Sequence, residues 1–105
     1  MDLSEYLVVF CMAPAEEAEM IAEAVVKDRL VACVNTTKAQ SRYWWKGSIN
    51  TKPEHLLIMK TQKSRFEALI SRIRELHSYE VPEVIAIPII GSYDAYLDWI
   101  KEETS

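Results

Sequence analysis

Residues 6–35 read YLVVFCMAPAEEAEMIAEAVVKDRLVACVN, and this stretch decides the fold class. Its first part, Tyr6 to Met12, is a continuous apolar run rich in β-forming residues, the pattern of a strand buried on both faces. Pro14 then opens a helix, where a missing N–H does no harm. Glu16, Glu17 and Glu19 fill its first turns and Lys27 and Arg29 close it, as the helix dipole favours. Ala18, Ile21, Ala22 and Val25 recur on one face at helical spacing. Leu30 to Asn35 then reads as a second buried strand.

Working outward, Ser41 to Trp45 continues as strand, with aromatics at positions 43 to 45. The segment Gly47 to Pro53 carries hairpin-turn signals, and Glu54 to Thr61 returns as a third strand. Ser64-Arg65-Phe66-Glu67 has the form of a capping box. Phe66, Leu69, Ile70, Ile73 and Leu76 form a core-facing stripe behind it. Val84 to Ile90 is a fourth apolar strand. Ser92 is expected to cap a last helix that buries Tyr93, Tyr96, Leu97 and Ile100. The order β-α-β-β-α-β with a C-terminal helix predicts an α+β, ferredoxin-like fold, a single domain over residues 1–105.

Composition narrows the function classes. Half the residues are apolar and 27% are charged, an ordinary globular balance. The net charge is −4, with no basic cluster to offset it, which argues against nucleic-acid binding. No apolar run approaches the ~20 residues needed to span a bilayer. The acidic start, Met1 to Glu5, is unlike a secretory signal, so a cytoplasmic protein with no membrane partner is expected. Cys11 and Cys33 match no zinc or thioredoxin spacing and read as reduced thiols within apolar runs.

Two crossover helices cover one face of a four-stranded sheet. A wet second face calls for alternating strands, yet the runs 6 to 12, 30 to 34 and 84 to 90 are apolar throughout. A second copy of the chain is the simplest cover, because large exposed apolar patches are uncommon in monomers. Pro88 belongs at an edge or a bulge, where a strand can bend away to meet a neighbour.

The successive segments Leu30-Val31-Ala32-Cys33-Val34-Asn35, Ser41-Arg42-Tyr43-Trp44-Trp45-Lys46-Gly47, Leu57-Ile58-Met59-Lys60-Thr61, Tyr79-Glu80-Val81-Pro82-Glu83 and Tyr96-Leu97-Asp98-Trp99-Ile100 carry a resemblance. Taken in order, they resemble the CutA divalent-cation tolerance family over nearly the whole chain. The resemblance implies a homotrimer with a PII-like architecture and a response to divalent cations, with copper binding but no enzymatic activity. The chain departs from the family pattern where His77-Ser78-Tyr79 replaces His-Pro-Tyr, and Ser48 stands where Lys is common. The lost proline is expected to loosen the turn at His77.

The resemblance implies Cys11, Cys33 and His77 as metal donors, a soft set suited to copper. In the ferredoxin-like order, strands one and two flank strand three and lie roughly 10 Å apart. Cys11 and Cys33 are therefore expected to form no disulfide and to share no metal within one chain. A Cys11/His77 site near Met12 is weighed against structural roles for both residues. No cofactor is required; copper or another divalent cation is the expected ligand. A cleft between subunits, lined by Ser41, Tyr43, Lys60, Tyr79, Glu80 and Glu83, is the expected binding site.

Other readings have weaker support. Glu80 and Glu83 invite an acid/base reading, but the turn around Pro82 accounts for them. Tyr43, Trp44 and Trp45 fit a stacking platform, but at consecutive strand positions they point to alternate faces, and Trp44 and Trp45 suit a subunit interface. An acylphosphatase needs an Arg-bearing phosphate loop after the first strand, where this chain has Met12-Ala13-Pro14-Ala15. The aromatic pattern of RNA-recognition modules is absent. The expectation is a non-enzymatic trimer, with a PII-like ligand-binding or partner-docking role as the alternative.

Overall fold

The computed structural model describes residues 5–105. Met1 to Ser4, which carry most of the expectation about a secretory signal, lie outside the described residues. The elements run β1 (Tyr6–Ala13), α1 (Ala15–Lys27), β2 (Cys33–Trp45), β3 (Ser48–Gln62), a 3-10 turn (Lys63–Arg65), α2 (Phe66–Leu76), β4 (Val84–Pro88) and α3 (Asp94–Glu103). The strands form one sheet in the order β2-β3-β1-β4 with every neighbouring pair antiparallel. This is the expected ferredoxin-like arrangement.

Strand alternation explains the two sides of the sheet. Leu7, Val9, Cys11 and Ala13 of β1 point to one face and are buried with Leu57 and Met59 of β3. Ala18, Ile21 and Val25 of α1 and Leu69 and Ile73 of α2 close over them. Tyr6, Val8, Phe10 and Met12 point the other way. There α3 covers only one end, packing Leu97 and Ile100 on Tyr6. The rest stays open: Phe10 lies between Ile58 and Ile85, and Val8 lies between Lys60 and Ile87. Ile85 and Ile87 are 53% and 51% exposed.

The largest departure from expectation is the β2–β3 hairpin. Its turn is two residues, Lys46 and Gly47, at φ of 50° and 83°. Positive φ at both positions is the turn that matches strand twist. The strands therefore pair without a break from Cys33↔Lys60 to Trp45↔Ser48. Pro53, read as part of the turn, sits in β3 opposite Gln40. It is tolerated because β1 ends opposite His55, leaving β3 with one partner beyond that point. The hairpin thus extends past the sheet as a two-stranded arm, and the molecule measures 45 × 25 × 22 Å.

The caps also differ. Ser64 makes no capping bond: a 3-10 turn occupies 63–65 and Arg65 stands at the N-cap of α2. Ser92 bonds the Tyr93 carbonyl instead of capping α3, and Tyr93 is 79% exposed rather than buried. Arg29 lies beyond the end of α1 at φ 58° and bonds Glu103 of α3. β4 stops at Pro88, and as an edge strand it leaves the proline without a missing ladder partner.

Candidate functional site

Beyond the end of β1, the loop from His77 to Glu83 runs beside the arm and leaves a cleft of about 690 Å³. Ser41, Tyr43, Tyr79, Glu80 and Glu83, expected in a cleft between subunits, line this cleft within the subunit. Lys60 does not: it pairs with Cys33 and Val8 within the sheet and its ammonium bonds the Asn35 side chain. The lysine of the cleft is Lys52, which sequence reasoning placed in the turn. Register puts Lys52 and Glu54 on the same face as Met12, Ser41 and Tyr43.

The cleft wall is organised around Tyr79. Its hydroxyl donates to Glu54 Oε2 at 2.6 Å, which satisfies a carboxylate that is only 4% exposed. The Lys52 ammonium sits 4.3 Å from the Tyr79 ring centre and 5.9 Å from that of Tyr43, in cation–π range. Its contacts with Tyr79, then Tyr43, hold Lys52 charged beyond the ordinary lysine range. Burial and the bond to Glu54 push the Tyr79 hydroxyl up to about 12. Tyr79 therefore stays neutral at physiological pH. Glu80 makes only a 3.9 Å surface contact with Lys46. Trp44, 71% exposed, projects from the arm beside the less exposed Trp45.

The three implied metal donors do not converge. Cys11 pairs with Leu57 and faces the helices, whereas Cys33 pairs with Lys60 and faces the open side. Both are free thiols, and the Cys33 sulfur lies 3.7 Å from the Tyr96 hydroxyl. Cys11 and His77 do meet, at the Met12 carbonyl: Cys11 Sγ is 3.9 Å from that oxygen and His77 Nε2 is 2.7 Å from it. Burial, reinforced by Glu83 and Glu54, raises the Cys11 thiol to about 12, so it keeps its proton. Among the described residues no three His, Cys, Asp or Glu side chains are grouped to hold an ion. In this arrangement the donors do not fit a resident metal.

The loop is fixed rather than loosened by Ser78. Its backbone N–H, which a proline would lack, donates to Glu17 Oε1 at 2.8 Å, and its hydroxyl donates to Glu17 Oε2 at 2.7 Å. Burial opposes the Glu17 charge, but the two Ser78 bonds, helped by His77 and Lys52, outweigh it and hold the carboxyl below its ordinary range.

The sequence profile of the CutA1 divalent ion tolerance protein family matches residues 6–103. The chain belongs to the CutA family. It is 43% identical over 99 residues to the divalent-cation tolerance protein CutA of Thermus thermophilus, covering 92% of this chain and 96% of that protein. It is 42% identical over 100 residues to the chloroplastic protein CutA 1 of rice, covering 93% of this chain but 56% of the rice protein. The chain thus spans about half the length of its plant CutA relatives. A periplasmic divalent cation tolerance protein CutA from Archaeoglobus fulgidus superposes with a TM-score of 0.92 at 36% identity, covering 95% of this chain and 99% of the other. CutA proteins carry names that describe tolerance rather than a reaction.

Proposed function

We infer that the working form of this CutA chain is a homotrimer that takes part in the response to divalent cations, copper included, without catalysing a reaction. One observation carries the assembly: the apolar sheet face formed by Val8, Phe10, Ile58, Ile85 and Ile87, which α3 leaves open. Three sheets turned inward would bury it, with Trp44 and Trp45 on the projecting arms reaching the neighbouring subunits. Membership of a tolerance family supports the cation role. Copper enters through the family resemblance and not through Cys11, Cys33 and His77, which do not converge within the subunit. Because Cys11 and His77 are closed within the subunit, copper is read not as a resident cofactor but as an ion held, when supplied, at a site other than that pair.

A second reading is supported by the cleft beneath the arm. Its volume suits a small organic ligand, and its aromatic and charged walls suit orientation of one. This makes the chain a PII-like signalling trimer that binds a ligand or docks a partner. A cytoplasmic location accords with either reading, and among the described residues no helix is long and apolar enough to cross a membrane.

The experiment is a native mass spectrum, metal-free and then with copper. Three copies per particle, with copper retained per subunit, is the expected result for the first reading. A trimer without retained copper favours the second. A stable monomer overturns both.

A further inference from the structure

His77 ends α2, and its side chain is fully buried. A metal-binding imidazole must turn a nitrogen lone pair to the ion. Here Nε2 faces the Met12 carbonyl, and Nδ1 faces the Tyr79 N–H with the Glu17 carboxylate 3.6 Å away. Nδ1 accepts the Tyr79 N–H at 3.2 Å, so it carries no proton. Nε2 must then carry one, which it donates to the Met12 carbonyl at 2.7 Å. The partners thus assign the Nε2–H tautomer and leave no lone pair free. The neighbouring Cys11 thiol is equally closed to an ion, lying wholly inside the core.

We propose that His77 is a positioning residue for the cleft, fixing Tyr79 against the arm, and not a ligand for a metal ion. The contacts run in one continuous path. Glu17 at the start of α1 holds Ser78. His77 joins the end of β1 to the Tyr79 amide and packs on the Tyr79 ring at 4.5 Å. Tyr79 then bonds Glu54 on β3, under the Lys52 ammonium. The ring therefore ties the end of β1 and the end of α2 to the loop that carries Tyr79. The functional weight of this role rests on the cleft being the working site; the ring contacts themselves do not.

The test uses the full chain with two partial mimics. His77→Asn places an amide oxygen near the Nδ1 position and keeps an acceptor for the Tyr79 N–H. His77→Gln reaches the Nε2 position and keeps a donor to Met12, but loses that acceptor. Hydrogen exchange of the Tyr79 amide should rise about tenfold in His77→Gln and stay within about threefold of wild type in His77→Asn, as expected for loss of one buried bond. Copper or zinc bound per chain should be the same in both variants and in wild type. In 15N-labelled wild type, the His77 ring nitrogens should show the Nε2–H tautomer and keep it with one equivalent of zinc or Cu(I). A ring nitrogen that shifts on metal addition, or parallel loss of bound metal in both variants with Tyr79 exchange unchanged, overturns the proposal. A Tyr79 response that follows the prediction in a chain that proves monomeric would sink the trimer reading and leave this one standing.

Discussion

The body of the molecule and its arm are built from the same sheet but held by different forces. In the body, β1 has a strand on either side and two helices on one face, so Val9, Cys11, Leu57, Met59 and Ile73 are sealed from water. In the arm, β2 and β3 have only each other, and an isolated two-stranded ribbon is marginal on its own. What steadies the arm within the subunit is polar: Tyr79 on Glu54, Lys52 over Tyr79, and behind them His77 and Ser78. Apolar burial is non-directional and tolerates approximate placement. Hydrogen bonds at a rim require particular partners. The body specifies the fold, while the arm and its loop specify a site.

This contrast can be broken or sharpened by substitution. Ile73→Ala should have the largest effect, a loss of about 2–5 kcal/mol in chemical denaturation, since a fully buried side chain leaves a cavity. A loss below about 1 kcal/mol would show that the helix layer is not the main source of stability. Tyr79→Phe should come next, at about 1–3 kcal/mol, because Glu54 is left buried without its donor. Hydrogen exchange should place that loss in the loop and the root of the arm. A uniform loss across the body would erase the distinction between the regions. Trp44→Ala should change subunit stability by no more than about 0.5 kcal/mol, being largely exposed, yet weaken assembly on dilution. An unchanged trimer at high dilution would remove the arm from the interface.

The smallest effect concerns acid. Glu17 has a folded pKa below its ordinary 4.5, so the stability it contributes is present above that value and is lost as pH falls through the folded pKa. Glu17→Gln should therefore be slightly less stable than wild type at neutral pH, with the gap closing below about pH 4.5. Parallel stability curves across that range would mean that the carboxylate charge does not anchor the loop.

Element order, the core stripes of α1 and α2, the open apolar face and the family were legible in the sequence alone. Helical and strand periodicities are local, and Ala18, Ile21, Leu69 and Ile73 announce their burial at fixed spacing. The site was legible only in part. Tyr79, Glu80 and Glu83 stood out as a polar cluster, but Lys52 and Glu54 were hidden by the proline between them. Lys60, expected in a cleft between subunits, lies in the sheet and outside the cleft within the subunit. Side-chain direction in a strand reverses with each residue, so the face of a residue follows from register, and register is a long-range property. The same holds for Cys11 and Cys33, which point to opposite faces, and for His77. Only the fold brings the Met12 carbonyl and the Tyr79 amide to its two nitrogens, because each bond joins groups whose positions are set by different elements.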